Sequence, residues 1–373
     1  MRAIGIILTG GKNEKLHELT DNRILAAMPI AGCYRAIDFS LSNMTNSGIK
    51  KVAVITQYNS RPLIEHLSSS KWWDFGRKQG GLFIFSPNRS QKSNFWYRGT
   101  ADAIYQNLDY LKDSHEPYAI ISSGNVICKV DYNKILEYHV DKRADITIVC
   151  KDMKNTNEDL RRFGIVLKDD ENRIIDFEEK PLEPQGTVIS TGIYVVRRRL
   201  LIELIEEILS GERYDIVNDI IIRYRKKKKI YAYMHNEYFN SIANIESYYN
   251  CNMDFLDKSN RKYFFGNFPY ISSKVQDEPP AKYNSGSVIS NSLISGGCII
   301  NGKVNNSILF RKVFIGKNTS INNSIILDGA YIGNNCCIEN SIVNTDTVIG
   351  DNCTYKDRKG NIKIVVNREC IYM

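Results

Sequence analysis

Short apolar runs alternate with segments of helical spacing through roughly the first 257 residues. Met1–Leu8, Lys51–Thr56 and Asp145–Val149 read as core strands, and Tyr118–Asn125 as a buried parallel strand that empties into a Gly turn. Between them, Thr100–Leu108 and Asp131–Tyr138 repeat their apolar positions at helical spacing. Alternation of this kind predicts an α/β domain over 1–257, Rossmann-like, with a mostly parallel sheet covered on both faces. A polar stretch over 258–282, containing Pro279-Pro280, reads as a linker.

Beyond residue 282 the period changes. Ile315-Gly316, Ile332-Gly333 and Ile349-Gly350 recur every 17 residues, and Asn-Ser-aliphatic triplets begin at Asn291, Asn306, Asn323 and Asn340. Ile321 and Ile338 each lie six residues past an Ile-Gly pair. A six-residue register with small residues at corners predicts a left-handed parallel β-helix over 283–373, with coils of about 18 residues and one aliphatic per side pointing inward. The five histidines are 17, 66, 115, 139 and 235, so that half lacks the His general base typical of hexapeptide-repeat acyltransferases. Packing or regulation is its default role.

Composition narrows the class. The 373 residues, 43% of them hydrophobic, suffice for two cores. No run approaches the roughly 18 apolar residues of a membrane span, and the apolar part of the N-terminus is too short for a signal peptide. Nine cysteines without C-x-x-C spacing suit neither zinc nor a disulfide framework, and a reducing cytoplasm fits best. The net charge of +8 owes much to Arg223–Lys229. That run, including Lys226–Lys229, reads as a solvated helix end; no fold motif or aromatic cluster supports nucleic-acid binding.

Asn125 carries the chemical question. The end of a parallel strand is where open α/β sheets hold ligands and metals, and phosphate chemistry wants a carboxylate there to anchor a divalent cation. Asn supplies no charge. The motifs around it are those of a known family. Gly32–Asn43 (GCYRAIDFSLSN), Thr56-Gln57-Tyr58, Trp96–Ala103 (WYRGTADA), Phe177–Pro181 (FEEKP) and Ser190–Tyr194 (STGIY) occur in order along the chain. With the β-helix, this series resembles the sugar-nucleotide pyrophosphorylases, and among them glucose-1-phosphate adenylyltransferase. On that resemblance Gly10, Gly11, Gln57, Gly99, Thr100 and Ala101 are nucleotide-binding positions, and Glu179, Lys180 and Ser190 sugar-phosphate positions. Gln57 has an amide to read an adenine edge, and the small residues 99–101 at a helix start let backbone approach a nucleotide. Without the neighbouring motifs, Glu179-Lys180 reads as an exposed turn before Pro181.

The departures from the family pattern carry the functional expectation. The phosphate loop G-G-x-G-S/T-R-L reads Gly10-Gly11-Lys12-Asn13-Glu14-Lys15-Leu16. Lys15 loses the forked geometry of Arg, and Glu14 either faces solvent in a first helical turn or sets a carboxylate beside phosphates. Two like charges about 4 Å apart cost on the order of 4 kcal/mol at an effective dielectric near 20. The family lysine of K-P-x-V-P is Leu25, and the two expected metal carboxylates are Asn125 and Ser241. The pattern resembles the non-catalytic, regulatory D-type subunit of the bacterial enzyme. It implies a hetero-oligomer, a tetramer, with a catalytic glucose-1-phosphate adenylyltransferase subunit to which Mg2+ and ATP belong, no cofactor of its own, and a sugar-phosphate or nucleotide effector. Arg23 and Arg35 fall near the family's effector region; surface or structural salt bridges explain them equally. A weakly active adenylyltransferase using Asp102 or Asp131 near the metal, or a standalone nucleotide or sugar-phosphate sensor, are the alternatives.

Overall fold

The computed structural model describes residues 2–10, 14–76, 80–87, 96–154, 156, 158–356 and 361–366. Its central sheet has nine strands: β1 (Ala3–Leu8), β2 (Lys51–Ile55), β3 (Gly81–Phe85), β4 (Tyr118–Ser123), β5 (Ile146–Asp152), β6 (Gly164–Lys168), β7 (Ile174–Glu179), β8 (Val188–Arg197) and β9 (Ile230–Met234). The order is β7-β6-β8-β4-β1-β2-β3, with β5 also pairing β8 and carrying β9 on its other side. Strand β8 runs antiparallel to β4, β5 and β6, and β7 antiparallel to β6. The other seven strands share one direction, as the alternating pattern predicts. Residues Ala119, Ile120 and Ile121 of β4 are buried on both faces, the mark of a strand covered on each side.

Local chemistry shifts some boundaries. The helix expected over Thr100–Leu108 stops at Tyr105 and restarts as Leu108–Lys112. Asn107 is the cause: its side-chain amide donates back to Ala103 O (2.8 Å) and to Tyr97 OH (3.1 Å), competing with the helical ladder. Helix Tyr132–Asp141 begins where Asp131 accepts from Asn133 N. The basic run falls where expected: Lys227 N and Lys228 N both donate to Tyr224 O in the turn that ends a helical stretch before β9.

The C-terminal half is a three-sided parallel β-helix of five-stranded sheets. Coils are 17 residues (Phe314↔Tyr331↔Val348) with one of 15 (Ile299↔Phe314), shorter than the expected 18. Ile300, Ile315, Ile332 and Ile349 on one side, Val304, Ile321 and Ile338 on the second, and Leu309, Ile326 and Val343 on the third fill its core. The Asn-Ser triplets are corners. Asn291, Asn306, Asn323 and Asn340 take φ of 39–48°, which Asn tolerates better than most residues. Asn291 Nδ2 donates to Asn306 Oδ1 (2.7 Å), and Asn306 Nδ2 to Asn323 Oδ1 (2.8 Å). The serines form a second ladder, with Ser324 N donating to Ser307 Oγ and Ser341 N to Ser324 Oγ.

The linear division into 1–257, linker and β-helix needs one correction. The chain forms two compact units, and the second gathers Asn13–Arg23 and Ala27–Asp38 together with Ser241–Met373. The reason lies in hydrogen bonds: Arg23 donates to Asn344 and Thr345, Ser295 Oγ to Gly32 O, and Tyr249 OH to Asn323 O. The linker is also partly helical at its start, Lys258–Arg261 being capped by Asp257. Among the described residues no helix is long and apolar enough to cross a membrane.

One buried group makes the fold acid-sensitive. His139 is hydrogen-bonded through Nδ1 to Thr147 Oγ1 (2.8 Å), meets Tyr118 edge-on, and its Nε2 has no protein partner. Burial, reinforced by Arg197 and opposed by Asp145, pushes the imidazole down to about 4. The neutral ring is thus favoured in the fold, so its contribution is complete above the unfolded value near 6.5 and is lost as pH falls toward 4. Across that window the loss is on the order of 3 kcal/mol. Urea unfolding at pH 7 and pH 4.5 is expected to show most of this loss, and His139→Leu is expected to remove much of the difference.

Candidate functional site

Register brings the ends of β1 and β4 level, since Ala3 pairs with Tyr118 and Leu8 with Ser123. Thr9 closes the end of β1, its N–H and Oγ1 both donating to Ile55 O. Gly124 N donates to Leu8 O (2.9 Å), and a Cβ there would lie 3.0 Å from Ala26 Cβ and 3.1 Å from Thr9 Cγ2. The turn is packed shut, which fixes where Asn125 follows. Asn125 is half-buried, and its Oδ1 accepts from Ser123 Oγ at 2.5 Å. Ser123 lies against Gly192, which holds φ 76° on β8, and Gly192 N donates to Ser190 Oγ at 3.4 Å. Gly10, Asn125, Ser190 and Gly192 therefore border one strand-end region of the first unit, with Leu25 in the short turn Leu25–Ala27 next to Ala26.

Gly11 and Asn13 lie outside the described residues, as does the side chain of Glu14. Lys15 is exposed in the short helical stretch Glu14–Thr20. Gln57 spends its carbonyl on the chain itself, accepting from Tyr97 N at 3.0 Å. Beside it the rings of Tyr58 and the exposed Trp96 stack at 4.5 Å. The small residues at 99–101 also serve the chain's own backbone. Ala101 N and Asp102 N both donate to Tyr214 O, and a Cβ on Gly99 would come within 2.3 Å of that oxygen. Thr100 Oγ1 donates to Asp215 Oδ2 and accepts from Ile216 N. Sequence reasoning missed Tyr214 and Asp215, which lie more than a hundred residues away and carry no local signal.

The carboxylates considered as substitute metal ligands are engaged. Buried Asp102 accepts from Arg98 N and Gln106 Nε2 and pairs with the Arg98 guanidinium at 3.5 Å, while Asp131 caps a helix. Among the described residues no group of three His, Cys, Asp or Glu side chains could hold a metal ion. Asn125 and Ser241, the latter ending strand Phe239–Ser241, offer neutral oxygens. This donor set does not fit a magnesium ion held by two carboxylates, because neutral oxygens leave most of its charge uncompensated. At the end of β7, Glu179 pairs with the exposed Lys180 at 3.2 Å, and Lys180 holds φ 49° with its N–H on Phe163 O.

Arg23 and Arg35 belong to the second unit. Arg35 pairs with Asp328 Oδ2 at 3.0 Å, Arg311 with Asp328 Oδ1 at 3.3 Å, and Arg23 binds Asn344 Oδ1 and Thr345 Oγ1. Burial, then the charge of Arg35, pulls the Arg23 guanidinium below its ordinary value. Burial alone would raise the Asp328 carboxyl, but Arg35 and Arg311 outweigh it and hold it below the usual range. Three guanidiniums thus share one buried carboxylate. Asp328 and Arg311 were absent from the sequence reading, yet their 17-residue separation is one coil and places them at the same corner position of adjacent coils.

Comparison with known proteins agrees with this architecture. The nucleotidyl transferase family matches residues 4–258, and the GlmU-like C-terminal hexapeptide family residues 279–355, consistent with a left-handed β-helix. The glucose-1-phosphate adenylyltransferase of Clostridium novyi is 39% identical over 320 residues, covering 85% of this chain and 83% of that protein. That of Thermosipho africanus is 38% identical over 318 residues (85% and 77%), and that of Geobacillus stearothermophilus 36% over 319 (85% and 82%).

The arginine cluster yields a test. Asp328→Asn keeps the shape but strands Arg35 and Arg311 without their counter-charge. It is expected to cost roughly 3 kcal/mol in urea unfolding, well above an exposed ion pair. Addition of sulfate or phosphate is expected to recover part of that loss.

Proposed function

The chain belongs to the glucose-1-phosphate adenylyltransferase family, and on that premise we propose that it is a regulatory, catalytically impaired subunit in glycogen biosynthesis. It assembles in the cytoplasm with a catalytic subunit that makes ADP-glucose and pyrophosphate from ATP and glucose 1-phosphate, and it modulates that subunit's activity or effector response. The observation that carries the reading is Asn125: a neutral side chain, already engaged by Ser123 Oγ, at the strand end where the family resemblance places a metal carboxylate. Ser241 at the second such position, Leu25 in place of the family lysine, and the engaged Asp102 and Asp131 support it. Nucleotidyl transfer depends chiefly on electrostatic stabilisation and positioning, of which the metal is a large share. Magnesium and ATP are thereby left to the partner. Regulation requires two states that the partner and an effector bind differently, and Arg23 and Arg35 are the residues we assign to a phosphorylated effector.

A competing reading, an adenylyltransferase active by itself, draws on the activity named for its 36–39% identical relatives. Turnover of ATP plus glucose 1-phosphate separates the two. The chain alone is expected to run at least roughly 100-fold below a catalytic subunit, and to change that subunit's rate or effector response when mixed with it. Ordinary turnover by the chain alone would sink the regulatory reading; no association and no kinetic effect would favour a standalone sensor. Calorimetry is expected to show weak ATP binding that magnesium leaves unchanged. The double variant Asn125→Asp with Ser241→Asp is expected to recover little turnover until Glu14 and Leu25 are also reverted to the family pattern.

A further inference from the structure

The three sides of the β-helix differ in what they show to the outside. The side built from strands at 293–294, 308–309, 325–326 and 342–343 is buried inward and outward over its last three of these rungs. A second side presents Lys303, Asn305, Ser320, Asn322 and Glu339. The remaining side is apolar. Its strands pair in parallel with Lys282, Ile299, Phe314, Tyr331 and Val348 in one register, so these residues form a single outward row. Their inward neighbours Ile300, Ile315, Ile332 and Ile349 are sealed in the core, whereas Ile299, Tyr331 and Val348 are 39%, 42% and 54% exposed. The rings of Phe314 and Tyr331 stack at 4.7 Å, within 4° of parallel. Soluble proteins ordinarily break such a row with charge, and rigid aromatics at its centre are the residues that dominate interfaces.

Charge is placed at the ends of this row. Exposed Lys282 stands on its first rung and exposed Lys317 beside the third, while exposed Asp346 and Asp351 bracket Val348 on the last. Lys312 is already paired with Glu278 at 2.9 Å. The face is therefore positive at one end, apolar in the middle and negative at the other.

We propose that this face docks on the same face of a second copy of the chain, the two β-helices lying antiparallel about a two-fold axis through the Phe314 rung. A two-fold contact repeats every interaction twice. In the antiparallel arrangement Lys282 meets the acidic end of the other copy, Ile299 meets Tyr331, and Phe314 meets itself. A parallel arrangement would set lysine on lysine and aspartate on aspartate, which complementarity disfavours. Five rungs spaced about 4.8 Å apart make a face about 19 Å long, on the order of 400 Å² per copy with its corners. That is half of a standard interface, so association falls in the micromolar range rather than tighter.

Sedimentation velocity of the full chain across the micromolar range tests this. The expected result is a concentration-dependent doubling of mass. Tyr331→Glu weakens the dimer at least roughly tenfold, with an unchanged melting temperature because the side chain points outward. Lys282→Glu weakens it too, and adding Asp351→Lys to that variant restores it. A chain that stays monomeric throughout, or a mass distribution unmoved by both Tyr331→Glu and Lys282→Glu, overturns the proposal. Failure of the paired charge reversal to restore association overturns the antiparallel arrangement.

Discussion

The first unit depends on the parallel pairing of β1 with β4, six residues long and buried throughout. A backbone amide or carbonyl removed from water must find a partner, at a cost of a few kcal/mol if it does not. Strand β4 satisfies this with β1 on one side and β8 on the other, and β1 with β2 on its far side. Once those ladders are set, the chain has no freedom over where it leaves the sheet. Thr9, Gly124 and Asn125 arrive together because the register delivers them together. The chemistry available at that edge is then decided by single side chains on a frame that tolerates their exchange.

That separation explains why the frame is retained while the chemistry reads differently. Asn125 in place of a carboxylate keeps a hydrogen bond to Ser123 and costs the sheet nothing, but removes a negative charge where a divalent cation would need one. The same holds for Gly99. Its smallness is required by the Tyr214 carbonyl against which it packs, so this motif persists for structural reasons whatever happens to nucleotide binding. Motif retention and retained activity are different properties here, because different physical constraints maintain them.

Much of this was legible in the sequence where the signal is periodic. The strand–helix alternation predicts the sheet, and the Ile-Gly and Asn-Ser registers predict the β-helix, because each repeats a burial pattern that only one architecture satisfies. Boundaries were less legible. Asn107 ends a helix through a side-chain bond that spacing does not reveal, and the coil length is 17 rather than 18 because the corners are turned by single residues of positive φ. Long-range partners were not legible at all, except where a repeat encodes them. Tyr214 and Asp215 could not be found from residues 99–101, whereas Arg311 and Asp328 stand one period apart. The assignment of 13–23 and 27–38 to the second unit rests on tertiary hydrogen bonds, for which linear order gives no cue.

The asparagine corners have a mechanical meaning. Each coil shares its amide and serine ladders only with the coils above and below, so order passes along the stack like a zipper rather than through a common centre. The first rung has a neighbour on one side alone, and Tyr283 at its inward position is 52% exposed, while the rungs at Ile315 and Ile332 are sealed. Fraying therefore begins at that open end and meets rising resistance with every rung. The arginine cluster at Asp328 sits well inside this gradient, so a thermal excursion that loosens the first coil leaves its charges in place.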